Sequence, residues 1–304
     1  MNNKPINKTL DDKIIDGKLI SQVVKAGIAK EVSKMIDSDI RPPHLAAILV
    51  GSDPASEFYV KSKEKACQSV GITSSLYKYS EKISENELLD VVGFLNKDPE
   101  VDGFIVQLPL PHHINVENII NGIDPTKDVD GFHPMNVGKM ALGYKTYIPA
   151  TPAGIVMLLQ EYEIETAGKN VVILGRSNIV GTPMSILLSR KSEPGNATVT
   201  LCHSKTKNLK EITAKADILI AAIGKPEFVD AEMVKKGAII IDVGIHRKED
   251  STREKGYRIV GDVKFDDVYK KVKMITPVPG GVGLMTIAAL LNNTLKARKL
   301  SKNN

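Results

Sequence analysis

The chain has 304 residues, 42% of them hydrophobic and 25% charged, a composition that suits about two globular domains and excludes a disordered or collagen-like chain. Lys and Arg total 41 against 36 Asp and Glu, and the resulting net charge of +5 is too small to indicate a nucleic-acid surface. The two cysteines, Cys67 and Cys202, lie far apart without zinc-ligand spacing, as expected of reduced thiols in a cytosolic protein.

In chain order, residues 45–50 read as a buried strand closed by Gly51-Ser-Asp-Pro54. A helix over 55–70 follows, with Asp53 as N-cap and Pro54 in its first turn. A strand over 74–79, a helix over 85–96 and a strand over 103–108 complete a first αβ series. Residues 123–151 are rich in Gly, Pro and Asp and weakly periodic, as expected where a chain lines a site or links domains. A helix opens at Thr151-Pro152 and runs to about Tyr162. Strands at 171–174, 198–202, 218–222 and 238–243 then alternate with helical segments, and 248–256 reads as a polar hairpin. Residues 282–299 form a helix in which Leu284, Ile287, Ala288, Leu291 and Leu295 keep helical spacing.

This alternation predicts an α/β fold of two domains. Residues 1–148 with 282–304 make an N-terminal αβ catalytic domain, to which the C-terminal helix returns. Residues 149–281 make a Rossmann-like, parallel-sheet dinucleotide domain. The longest apolar runs are too short to span a bilayer, and the N-terminus lacks the apolar core of a signal peptide. A cytoplasmic protein without a membrane partner is expected.

Five segments carry chemistry. Gly175-Arg-Ser-Asn-Ile-Val-Gly181 lies between a strand and a helix, where backbone N–H groups and the helix dipole favour an anion. It departs from G-x-G-x-x-G at Ser177, yet the βα repeats around it favour a dinucleotide. The next strand ends Leu201-Cys-His-Ser-Lys-Thr206 without the acid that reads a ribose 2′-hydroxyl. Together with Arg176, this favours NADP over NAD, unless Arg176 and Lys205 are only surface charges. Tyr59 and Lys63 are four residues apart on a helix face, so the hydroxyl and a neutral amine can position a substrate and move protons. Such a pair also occurs by chance on solvated helices. Gln107 sits at the carboxyl end of a strand, either orienting a lysine or water or satisfying buried backbone. Asp128 and Asp130 share the loop Lys127-Asp-Val-Asp-Gly131, one suited to an amidine-like N–H pair and the other to closing a turn. Finally, Thr276-Pro-Val-Pro-Gly-Gly-Val-Gly283 fixes an unusual backbone path that meets either a ligand or a domain junction. No metal is expected, because no ligand cluster accompanies these acids.

In this order and at these separations, the five segments closely resemble the bifunctional methylenetetrahydrofolate dehydrogenase/methenyltetrahydrofolate cyclohydrolase family, over nearly the whole chain. The resemblance implies NADP-dependent oxidation of 5,10-methylenetetrahydrofolate to 5,10-methenyltetrahydrofolate, then hydrolysis to 10-formyltetrahydrofolate. It implies that Lys63 is the catalytic amine, tuned by Gln107, with Tyr59 positioning the folate and Asp130 holding the pterin edge. Gly175, Arg176, Ser177, Ser204 and Ile245 match cofactor positions. Val106, Leu108, Pro277, Gly280 and Gly281 join Tyr59, Lys63, Gln107 and Asp130 as folate contacts. A homodimer is the assembly implied. One departure stands at Leu284, where the family has proline, and a change of affinity without loss of activity is expected there. Two other readings remain open from the residues: a shikimate-type dehydrogenase and a non-catalytic NADP-binding regulator.

Overall fold

The computed structural model describes residues 11–301. A first helix, α1 (Gly17–Asp37), buries Ile20, Ile28, Val32 and Met35. Lysines and glycines interrupt its apolar stripe, so its helical periodicity is weak in the sequence. Next come β1 (His44–Val50), α2 (Pro54–Ser69), β2 (Thr73–Tyr79), α3 (Glu85–Lys97) and β3 (Gly103–Val106). Asp53 caps α2 by accepting from the Ser56 N–H at 2.8 Å, and Ser84 with Glu87 forms a capping box on α3. The three strands are parallel in the order β2-β1-β3, with Ile48 opposite both Tyr77 and Val106. Ala46, Ile48, Leu88, Val92, Leu95 and Phe104 pack the core between this sheet and its helices. β3 ends two residues earlier than expected, although the Gln107 N–H still donates to the Ile48 carbonyl at 2.9 Å.

The stretch expected to be irregular holds α5 (Pro134–Ala141), preceded by α4 (Val116–Gly122) and followed by α6 (Ala150–Glu161). His133 caps α5, and Pro134 opens it. A second series follows: β4 (Asn170–Leu174), α7 (Gly181–Ser189), β5 (Thr198–Cys202), α8 (Leu209–Thr213), β6 (Ile218–Ala221) and β7 (Ile239–Asp242). The antiparallel hairpin β8 (His246–Glu249) and β9 (Tyr257–Val260), then α9 (Phe265–Tyr269), β10 (Met274–Ile275) and α10 (Val282–Ser301) complete the chain. The second sheet is parallel in the order β10-β7-β6-β4-β5.

Both sheets share one topological feature. From β1 the chain adds β2 on one side and β3 on the other, and from β4 it adds β5 on one side and β6 on the other. Each reversal leaves a crevice at the carboxyl ends of the flanking strands, where ligands of open α/β sheets bind.

The described residues divide into two compact units: 11–21 with Gly154–Met285, and Gln22–Ala153 with 286–301. α10 thus returns to the first sheet's unit, where Asn293 Nδ2 donates to the Val129 and Ile148 carbonyls at 2.9 and 3.0 Å. The sequence reading grouped the N-terminal residues with that unit as well. Those around Ile14 instead extend the second sheet, because the Ile15 N–H donates to the Ile275 carbonyl at 2.9 Å and the Ile275 N–H to the Lys13 carbonyl at 2.8 Å.

Candidate active site

The α2 helix carries Lys63 to the carboxyl end of β3. There its Nζ donates to Gln107 Oε1 at 3.1 Å, across 44 positions of sequence. The other end of the Gln107 amide is committed as well, since Nε2 donates to the Leu108 carbonyl at 2.7 Å. The glutamine therefore presents a fixed, uncharged acceptor to the amine. Burial pulls the Lys63 amine below the ordinary lysine range, and the Asp130 carboxylate opposes that shift. Burial pushes Asp130 above the ordinary carboxylate range, with Lys63 opposing and Asp128 adding to the rise. Beneath them on α2, Cys67 is buried and its thiol is pushed up to about 12, so it stays protonated.

The two acids of the 127–131 loop differ sharply. Asp128 is buried and accepts from the backbone N–H groups of Gly131, Phe132 and His133 at 3.1, 3.2 and 2.8 Å, and from Asn136 Nδ2 at 2.8 Å. It closes the turn. Asp130 is left to act on Lys63. Gly131 makes this geometry with φ of +75°, and a Cβ there would collide with the Ile148–Pro149 backbone. The Val129 carbonyl, one residue before Asp130, is the one held by Asn293. Tyr59 is 37% exposed, its ring edge-on to Phe58 at 6.1 Å between centroids. Val106 is buried, and Leu108 is half-buried. The structure thus gathers Lys63, Gln107 and Asp130 into one cluster, with Tyr59 one turn before Lys63 on α2.

In the other unit, Gly175, Arg176 and Ser177 follow β4, Ser204 follows β5, and Ile245 follows β7, all at the carboxyl edge of the sheet. Gly175 has φ of +109° and packs so close to the Ala222 carbonyl that no Cβ fits. A Cβ on Gly181 would strike the Gly175 carbonyl. Ser177 Oγ accepts from the Val180 N–H at 3.1 Å, and the Arg176 side chain is exposed. Pro277 and Gly280 are half-buried, and Gly281 is buried. That loop is braced by the Lys18 N–H, which donates to the Gly280 carbonyl at 2.9 Å, and Gly17 lies against Gly281. Leu284 falls in the first turn of α10, where backbone N–H groups have no intrahelical partner and proline and leucine are both accommodated.

Sequence reasoning missed Asn136 and Asn293, which support the 127–131 loop. It also missed Asp242 and Asp262, two buried acids at the second sheet's carboxyl edge. One signal was present: an aspartate closing the apolar run Ile239-Ile-Ile-Asp242 needs partners. Among the described residues there is no group of three or more metal-ligating side chains and no helix long and apolar enough to cross a membrane.

A doubly wound sheet with a glycine-rich strand–helix turn in one unit and a half-buried amine hydrogen-bonded to an amide in the other are features of an α/β dinucleotide enzyme. Comparison with known proteins narrows this. The catalytic-domain model of the tetrahydrofolate dehydrogenase/cyclohydrolase family matches residues 15–130, and its NAD(P)-binding-domain model matches residues 149–302. The bifunctional protein FolD of Flavobacterium psychrophilum is 58% identical over 291 residues, covering 96% of this chain and 99% of the relative. The crystal structure of the FolD dehydrogenase/cyclohydrolase from Campylobacter jejuni is 48% identical with a TM-score of 0.88, covering 94% of this chain and 98% of that one. A Trypanosoma brucei dehydrogenase-cyclohydrolase, solved with NADP and an inhibitor, is 35% identical with a TM-score of 0.90, covering 96% and 98%. The chain belongs to the tetrahydrofolate dehydrogenase/cyclohydrolase family and carries both of its domains.

Proposed function

We propose that this enzyme oxidises 5,10-methylenetetrahydrofolate with NADP⁺ and hydrolyses the resulting 5,10-methenyltetrahydrofolate to 10-formyltetrahydrofolate, with Lys63 as the proton-handling group. The observation that carries the reading is the 3.1 Å hydrogen bond from Lys63 Nζ to the clamped Gln107 amide, beside Asp130 at a strand switch point. Water adding to the methenyl carbon must lose a proton, and the departing ring nitrogen must gain one. A neutral amine can do both. Gln107 supports this by accepting one N–H without adding a charge that would lock the amine as ammonium. The cationic methenyl ring acts in the same direction as burial, disfavouring the protonated amine. Asp130 suits the N–H edge of the pterin, and Tyr59 offers a ring face and hydroxyl for positioning. Val106, Leu108, Pro277, Gly280 and Gly281 complete the proposed folate contacts.

The second sheet fits a dinucleotide, because Gly175 leaves β4 with a positive φ and Gly181 opens α7 packed directly against it, a tight strand–turn–helix junction suited to an anion. Bound there, the dinucleotide supplies the hydride acceptor. Gly175 and Ser177 would hold its phosphates, and Ile245 would provide an apolar contact. NADP is favoured over NAD because β5 is followed by Ser204 and Lys205 with no acid, beside an exposed Arg176. The family resemblance also supports a homodimer, which light scattering tests.

The deciding experiment assays methylenetetrahydrofolate oxidation with NADP⁺ and NAD⁺ separately, and formyl-product formation from methenyltetrahydrofolate, in wild type and Lys63→Met. Hydrolysis should fall by roughly 10²-fold or more in the variant. Formyl production at the wild-type rate would remove Lys63 from the reaction.

A further inference from the structure

The buried acid Asp262 has no place in the chemistry above, yet it is fully enclosed and heavily bonded. Its Oδ2 accepts from the Ile223 and Gly224 N–H groups at 2.7 and 3.0 Å, and its Oδ1 from the Lys225 N–H at 2.9 Å. His246 Nε2 lies 2.7 Å from the same Oδ1. Three consecutive backbone donors and an imidazole thus converge on one carboxylate. The contacts leave no room for variation at two glycines, since a Cβ on Gly244 would strike Asp262 and one on Gly261 would strike Asp242. Asp242 anchors the clasp from below, accepting from the N–H groups of Gly244, Asp262 and Val263 at 3.0, 2.9 and 3.0 Å.

The loops joined in this way are the ones that border the dinucleotide cradle. Residues 223–225 follow β6, immediately after Ala222, whose carbonyl seats Gly175. His246 follows Ile245, which packs against Gly283. Backbone N–H groups after a strand ordinarily serve as anion donors. Here Asp262 consumes them. With its N–H groups taken, the 223–225 loop can meet a ligand only through its carbonyls, which suit hydrogen-bond donors such as a carboxamide or a ribose hydroxyl, and through side chains such as the exposed Lys225.

We infer that Asp262, steadied by His246, is a positioning residue for the dinucleotide: it fixes the 222–225 and 243–246 loops around the cradle while touching no reacting atom. The inference rests on the functional reading above. Asp262→Asn puts an amide N–H against converging donors, so the loop must rearrange. The Michaelis constant for NADP⁺ should rise roughly tenfold or more, whereas hydrolysis of methenyltetrahydrofolate, which uses Lys63 in the other unit, should stay within about twofold. His246→Phe removes the fourth partner and keeps the ring, so the same constant should rise about threefold or more, and His246→Gln, which retains a donor, should recover most of it. If the asparagine variant does not fold, the histidine pair decides. A folded Asp262→Asn or His246→Phe enzyme with an unchanged NADP⁺ constant overturns the inference, as does an equal loss of hydrolysis, which marks a general structural role. Wild type inactive on methylenetetrahydrofolate with either dinucleotide would instead sink the functional reading.

Discussion

Lys63 and Asp130 act on each other with opposite sign: burial drives each toward its neutral form, and each pulls the other back toward its charged form. A proton-handling amine needs such a balance. Full burial without the acid would leave too weak a base to hold a proton, and an exposed ion pair would leave no free amine near neutral pH.

The pH dependence of hydrolysis should report this pair. Asp130 raises the Lys63 pKa, so Asp130→Asn lowers it further and enlarges the neutral fraction at any pH below it. The rising limb of the rate–pH profile should move toward acid, even if pterin contacts are lost and the plateau falls. Gln107→Glu has the opposite sign, because a carboxylate in place of the amide stabilises the ammonium and moves the limb toward alkali. Limbs that stay in place, measured by initial rates across pH, would separate Lys63 from the titration.

At the cradle, Gly181→Ala sets a Cβ against the Gly175 carbonyl and must displace the turn. Dinucleotide affinity should fall roughly tenfold or more, read by fluorescence titration, while methenyltetrahydrofolate hydrolysis persists.

Cofactor choice should depend on Arg176. Arg176→Ala removes a guanidinium fork suited to a 2′-phosphate, so the Michaelis constant for NADP⁺ should rise about tenfold and that for NAD⁺ should hardly change. Equal effects on both dinucleotides would assign Arg176 to the shared phosphates.

Away from any ligand, Arg41 pairs with the buried Asp102 through two bonds of 2.7 and 3.1 Å, and the His44 N–H donates to the same carboxylate at 2.8 Å. The pair ties the start of β1 to the turn before β3. Arg41→Ala strands a buried charge and should cost about 3 kcal/mol in denaturant unfolding, with kcat per folded molecule preserved.

The division between what was readable in the chain and what was not follows interaction range. The strands of both sheets other than the two-residue β10, the cap at Asp53, the anion turn at 175–181 and the Tyr59/Lys63 spacing were readable from neighbours within a few residues, because periodicity, capping and turn chemistry are local. α1 was not, since its apolar stripe is diluted by lysine and glycine and becomes evident only against its packing partners. The residue types of the 127–131 loop left Asp128 and Asp130 interchangeable, and only the family resemblance singled out Asp130. The folded chain supplies the physical difference, by delivering three backbone N–H groups and Asn136 to Asp128 while Asp130 interacts with the Lys63 amine. Gln107 likewise had two equal readings from its own segment, and the fold supplies the physical ground for one by bringing the Lys63 amine of α2 to its oxygen; the partners of Asp262 come from two separate loops. Burial and long-range hydrogen bonding set the charge and task of a side chain, and both depend on which distant segments the fold brings together.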